Sequence, residues 1–406
     1  MNQLAALVLL GCLALGCSAR RQAPKTADMD TGLIHTILRE HPRLDSLLRD
    51  TSRRIQVIFT QIDRKKDGTP VFTTHTLGED PELYFYPAST VKLPVAVLAL
   101  QKLNELGRPG LDRNSTMISK AAYPGQTAVD KDSSSADGRP AIAHYIKKIF
   151  LVSDNDAYNR LYEFLGQEYI NHTLHRIGYS SAQIIHRLSV SMNEDQHRHT
   201  NPVEFYDTAG SLIYSQPLVK SGLLYQPRST FLGKGYYSGG KLISQPFDFS
   251  YKNRLTLRDL HSIVQSVMFP ASVPKRQRFN LTEDDYAFLH KYMSMLPRES
   301  DYPKYDSTHT GAYVKFLFYG GSGPVDSHIR IFNKVGDAYG FLTDAAYIVD
   351  HQNKVEFILS ATIHCNSDGI YNDDRYEYDE VGFPFMKELG RAIHGYEVGR
   401  RAKGRG

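Results

Sequence analysis

The hydrophobic pattern changes period twice along the chain. Leu33, Ile34, Ile37, Leu38, Leu44, Leu47 and Leu48 recur at helical spacing, interrupted near Pro42. Two β-rich runs at 55–62 and 71–76 then flank Lys66-Asp67-Gly68 and read as a hairpin. An aromatic run ending at Pro87 leads into an apolar helix that opens at Ser89 and stops at Gly107-Arg108-Pro109-Gly110. Helices dominate from 111 to 201, with 141–150 and 157–165 joined by a short link carrying Ser153-Asp154-Asn155. Residues 211–250 are rich in Gly, Tyr, Ser and Pro and show no period. Helical spacing returns at 255–267 and 281–295, and 300–327 is again irregular and aromatic-rich. The end of the chain reads as three strands (329–335, 339–349, 355–363) and a closing helix at 384–394. Strands at both ends of the fold share one sheet only if the helical block is an excursion from it. No internal repeat is visible.

With 406 residues, 41% apolar and 23% charged, the chain has ample material for a core. A formal charge of +4 without a dense basic stripe excludes nucleic acid as an expected partner. Residues 4–16 form an apolar run of signal-peptide length, too short to span a bilayer. It ends in Ala14-Leu15-Gly16-Cys17-Ser18, which resembles a lipoprotein box; Leu9-Leu10-Gly11-Cys12 is a second possible box. The expectation is a signal over 1–17, lipidation of Cys17 and a polar tether over 18–30. The protein would then be exported to the bacterial cell envelope and held on the periplasmic side by a lipid anchor; a cleaved soluble export signal is the alternative. Cys365 is left without a partner and reads as strand-end packing.

Ser-x-x-Lys occurs at Ser89–Lys92, Ser238–Lys241 and Ser272–Lys275, and only the first stands at a helix start. There the lysine lies one turn above the serine on the same face. A lysine kept among apolar neighbours loses enough of its charge to take a hydroxyl proton, and the free N–H groups of a first turn favour developing negative charge. Downstream stand Ser153-Asp154-Asn155, 64 residues after Ser89, and Lys334-Val335-Gly336 in the first strand of the final meander. A strand glycine at that point permits close backbone approach.

Together these three segments resemble the signature of class A β-lactamases and penicillin-binding proteins. Ala157, Asn159 and Leu161, then Thr200-Asn201-Pro202, and Tyr339-Gly340 through Asp344 extend the resemblance. It implies a class A β-lactamase-like α/β (α+β) fold: an antiparallel sheet flanked by helices, with an all-helical subdomain. The hydrolase domain would span 31–397, with 31–88 and about 328–397 as its α/β part. Residues 89–327 would be the helical part, with insertions at about 211–250 and 300–327. It further implies that Ser89 is acylated, Lys92 deprotonates it, and Ser153 passes a proton to the leaving nitrogen. Lys334 would hold Ser153 and supply positive potential. The amides of Ser89 and Asp337 would form the oxyanion hole, and Asn155, Val335, Gly336 and Asp337 would bind substrate.

The expected activity is hydrolysis of a β-lactam through a Ser89 acyl-enzyme, without metal or organic cofactor. The expected partner is a small β-lactam or a peptidoglycan-derived peptide. Three departures stand out: Val335 lacks the hydroxyl usual at its place, Leu342 stands where many class A enzymes carry arginine, and no Glu-Pro-x-x-Leu-Asn follows Arg187. Glu194 is the remaining carboxylate for deacylation. The alternatives are a penicillin-binding-type cell-wall peptidase, a non-lactam amide or ester hydrolase, or a silent wall- or partner-binding lipoprotein. His197, His199, His172 and His175 have some metal-like spacing but no carboxylate or cysteine pattern beside them, and no metal site is read there. The aromatic residues of the insertions, among them Tyr313, Phe316 and Tyr319, read as surface cover, with a wall for a larger substrate groove as the other possibility.

Overall fold

The computed structural model describes residues 32–403. The expected signal, Cys17 and the tether lie outside the described residues. Five strands make one antiparallel sheet: β1 (Gln56–Arg64), β2 (Pro70–Leu77), β3 (Ile329–Ala338), β4 (Phe341–Asp350) and β5 (Val355–His364). Their spatial order is β3-β4-β5-β1-β2, so β1 pairs with β5 and the two ends of the chain meet in mid-sheet. Everything between β2 and β3 is the excursion that the strand pattern requires. The fold is α/β (α+β), an antiparallel sheet flanked by helices with a helical block at one edge.

Both faces of the sheet are covered, which is why its strands read as nearly continuous apolar runs. On one face Val57, Phe59, Leu342, Ala346 and Leu359 pack against Phe385, Met386, Leu389 and Ile393 of the terminal helix Phe383–Lys403. On the other, Ala345, Tyr347 and Ile358 meet Leu260, Ile263 and Val267 of the helix Leu257–Met268. Each large apolar side chain so buried contributes roughly 1.5–3 kcal/mol. The terminal helix continues past the expected end at 394. Its extra turns are tied to the sheet by the buried Glu397, which accepts from Gln61 at 2.7 Å and pairs with Arg400 at 2.7 Å.

Residues 211–250, read as irregular, contain short strands. Gly235–Ser238 pairs with Lys241–Ile243 around Gly239-Gly240, both at positive φ (55° and 76°), the hallmark of a two-residue hairpin turn. The Ser-Gly-Gly-Lys sequence carries that signal. No described helix is long and apolar enough to cross a membrane.

Ser89 sits in a 3-10 turn, Ala88–Val91, that runs directly into the helix Lys92–Leu106. This helix is buried on every side from Lys92 to Gln101, so it is a central rod and not an amphipathic cover. Pro94 falls in its first turn, where the missing N–H costs nothing, and Gly107 ends it at φ 53°. The edge strand β3 closes on the Ser89 turn at Gly336. A Cβ there would stand 2.7 Å from the Pro87 carbonyl oxygen and 2.8 Å from the Ser89 nitrogen. Backbone on both sides leaves nothing to yield. Gly336→Ala is expected to destabilise the fold by about 1–3 kcal/mol, the usual cost of overpacking, measured by denaturant titration.

Candidate active site

Three elements converge at the seam between sheet edge and helical block. The Ser89 turn supplies the hydroxyl, and the helix behind it supplies Lys92, fully buried. The helix Ile142–Val152 ends at Ser153, whose left-handed backbone (φ 59°) turns the chain sharply. Asp154 then caps the next helix, Asn155–Leu165, by accepting from the Ala157 N–H at 2.8 Å. A polar side chain on either side of this cap therefore projects into the seam. From the third side, the alternation of β3 puts Lys334 and Gly336 toward the helical block and Val335 and Asp337 toward the terminal helix.

The Lys92 amine donates to the Ser153 carbonyl oxygen and, at 2.7 Å, to Asn155 Oδ1, with Ser153 Oγ at 3.3 Å. Lys334 donates to Ser153 Oγ at 2.8 Å and to its neighbour's carbonyl, Val335 O, also at 2.8 Å. Ser153 is thus held between two buried amines. Burial, with the nearby Lys334 adding to it, holds the Lys92 amine well below the usual lysine range. Burial likewise pushes Lys334 down to about 7, against the pull of Asp337 and Asp344. The Ser153 carbonyl and Asn155 Oδ1 take two of the positions around the Lys92 nitrogen, and the third group within hydrogen-bond reach is Ser153 Oγ. No hydrogen bond joins Lys92 to Ser89 in this structure; the reach expected from the sequence spacing is one of proximity along the turn.

The cleft over Ser89, about 420 Å³, is walled by Asn155, Leu188, Ser189, Asp337 and Tyr339. Asn155 Nδ2 donates to Ser189 Oγ at 2.8 Å, bridging Lys92 to the loop. Asn159 clamps the backbone of Leu188 from both sides, Nδ2 to the carbonyl at 3.0 Å and Oδ1 from the N–H at 2.9 Å. Arg187 fixes the loop base through the buried Glu163 at 2.9 Å and Asn201 at 3.1 Å. Leu188 and Ser189 escaped the sequence reading because main-chain contacts, which no spacing rule reports, place them. Glu194 is not brought to this cleft. It begins the short helix Glu194–Arg198, ion-pairs with Arg198 at 2.9 Å, and borders an adjoining cavity of about 290 Å³ that shares Tyr86, Leu188, Ser189 and Tyr339 with the cleft. Among the described residues the carboxylates lining the Ser89 cleft are Asp337 and Asp374. Protein crowds the Asp337 carboxyl on most sides and raises it, opposed by Lys334 and Lys92. Leu342, opposite Asp337 in the ladder, is core.

Of the insertion aromatics, Tyr313, Phe316 and Tyr319 wall a second cavity that begins at Ser153, while Tyr302 and Tyr237 are exposed. Among the described residues no group of three or more His, Cys, Asp or Glu is arranged to hold a metal ion. Burial keeps His186 at about 4 and His197 at about 3, so both are neutral. Cys365 is buried and its thiol is pushed up to about 12, which fits packing and not nucleophilic work.

A serine, two lysines and a second serine stand at the seam of this sheet and helical block, the arrangement that the three motifs imply. Residues 42–217 match the family model described as the beta-lactamase enzyme family, and the resemblance read from the motifs is shown over that region. The match takes in Ser89, Lys92, Ser153 and Asn155; Lys334 joins them through the fold. Comparison with curated proteins finds no match. Among solved structures the chain is similar to a beta-lactamase from Sphaerobacter thermophilus at 12% identity (90% of this chain, 96% of that one, TM-score 0.47). A beta-lactamase from Desulfarculus baarsii follows at 16% (90% and 99%, TM-score 0.48), and PBP-A at 15% (91% and 97%, TM-score 0.49).

Lys334 makes stability depend on pH in a stated direction. Its amine binds a proton more weakly folded (about 7) than at its ordinary 10.5. The unfolded chain therefore holds more protons between those values, and this group's contribution to stability rises with pH across that window. Lys334→Met is expected to be more stable than the parent at pH 7, with the difference shrinking toward pH 10, as read from thermal midpoints at both values.

Proposed function

We propose that the protein is a serine hydrolase that forms an ester on Ser89 with amide or ester carbonyl compounds, β-lactams among them. The observation that carries this reading is Ser153 Oγ held between the amines of Lys92 and Lys334, beside a serine on a buried helix start. Lys92 takes the Ser89 proton as Oγ attacks the carbonyl carbon. The N–H groups of Ser89 and Asp337, on either side of the close approach at Gly336, donate to the oxyanion, each worth about 3 kcal/mol in such sites. The proton passes through Ser153 Oγ to the leaving nitrogen or oxygen as its bond to carbon breaks. Water then cleaves the ester and restores Ser89. An exported protein, lipid-anchored at Cys17 in the bacterial envelope, is part of the same proposal.

The second step distinguishes two readings. β-Lactam turnover needs a base poised over the ester, and Leu188 offers a hydrocarbon there while Glu194 lines the adjoining cavity and is paired with Arg198. This favours a penicillin-binding-type peptidase or an amide or ester hydrolase for which a β-lactam is a slowly released acyl donor. A chromogenic cephalosporin is expected to give a burst of about one equivalent and then slow release. Rapid steady turnover would restore the β-lactamase reading, and no burst with no labelling would leave a silent binding protein. Ser89→Ala is expected to abolish labelling by a fluorescent penicillin. Labelling should also climb with pH well below the range in which an ordinary lysine titrates, because burial lowers Lys92, and a profile that stays flat until about pH 10 would remove Lys92 as the base.

A further inference from the structure

The second cavity begins at the catalytic cluster itself. It holds about 740 Å³ and is lined by Ser153, Val335 and Asp337 at its inner end, then by Tyr313, Phe316 and Tyr319 of the insertion and by the terminal helix. Asp337 also lines the Ser89 cleft, so the two hollows meet at that residue, one on the Asn155 and Tyr339 side and one on the Ser153 side. Ser153 is where the proton goes to the departing group, so the larger hollow lies where that group leaves.

The wall of this hollow is anchored. Lys315 is buried in the insertion and donates to Ile331 O at 3.0 Å, Met293 O at 2.8 Å and Asn333 Oδ1 at 2.7 Å. Asn333 Nδ2 answers to Val314 O at 2.8 Å and to Asp344 Oδ1 at 2.9 Å, and the Leu317 N–H donates to Asp344 Oδ2 at 3.0 Å. The loop is bolted to the edge strand and does not lie loosely over it.

Its inner end is unsuited to a carboxylate. Val335 offers no donor and Asp337 is itself an acid. Farther out, Lys387 and Arg391 alternate with Glu388 and Asp379, so the outer wall demands no single sign of charge. A substrate whose scissile residue ends in a free carboxylate meets an apolar side chain and an acid there, and the one hydroxyl, Ser153 Oγ, is taken up by Lys334 and by the proton path to the leaving atom. A chain that continues past the scissile bond meets room.

We infer that this hollow receives the leaving portion of an extended chain, and that the enzyme cleaves internal amide or ester bonds of a peptide-like substrate and not a terminal residue bearing a free carboxylate. This inference rests on Ser89 acylation as proposed above. The covalent step is the one already written, the leaving nitrogen or oxygen carrying the rest of the chain.

The test uses matched benzoyl-alanyl esters, in both the L and D series, with two leaving groups. One is lactate with its carboxylate free; the other is lactate extended through that carboxyl by a neutral tripeptide amide. The full chain is expected to favour the extended ester at least tenfold in kcat/KM in the series it accepts. Ser322→Trp, an exposed lining position outside the catalytic cluster, should remove that preference and leave penicillin labelling unchanged. Equal rates for the two esters, preference for the free carboxylate, or an unaltered ratio in Ser322→Trp, each with penicillin labelling intact, would overturn the inference alone. Failure of penicillin and both esters to acylate Ser89 would remove the underlying function and the inference with it.

Discussion

The contact at Gly336 is the constraint on which the rest depends. A single absent side chain lets the edge strand β3 lie against the Ser89 turn, and through that contact the sheet and the helical block share one seam. The contacts that join Lys92, Ser153 and Lys334 all cross it. Lys334 approaches Ser153 from the sheet side and Lys92 approaches it from the helix side, so moving the strand outward would separate the two amines from their common acceptor.

That seam also explains the electrostatics. Burial lowers both lysines, with Lys334 adding to the effect on Lys92 and Lys315 adding to the effect on Lys334. The arrangement holds one hydroxyl ready to receive and pass a proton. It costs stability, as buried amines without a tight carboxylate partner do. A site built on desolvation gains its reactivity from the apolar rod behind Ser89, which supplies no chemistry of its own.

Much of this was legible in the sequence. Helix starts, the hairpin and the three-strand meander followed from period and turn chemistry. Ser89, Lys92, Ser153, Asn155 and Lys334 followed from a resemblance whose spacing physics makes sense of. What escaped was set by main-chain and long-range contacts. Nothing in the run Arg187-Leu188-Ser189 says that Asn159 grips Leu188 by its backbone, and nothing in the sequence shows that the helix Glu194–Arg198, capped by Asn193, pairs Glu194 with Arg198. Likewise the aromatic stretch after 300 has no period, and only Lys315 reaching into the sheet reveals it as a wall.

The aromatic cluster behind the nucleophile carries a consequence of its own. Tyr84 and Tyr86, ahead of Ser89, interlock with Phe249 from the excursion and with Phe341 and Tyr371 from the sheet end, and Ile370–Tyr371 adds a parallel pairing to Gly235–Ser238. Three distant parts of the chain are stitched together at the back of the groove. A groove sewn shut along its spine does not open and close like a jaw. On the proposed mechanism, the lifetime of an ester on Ser89 is therefore set by the chemistry of that bond and not by the swing of a gate.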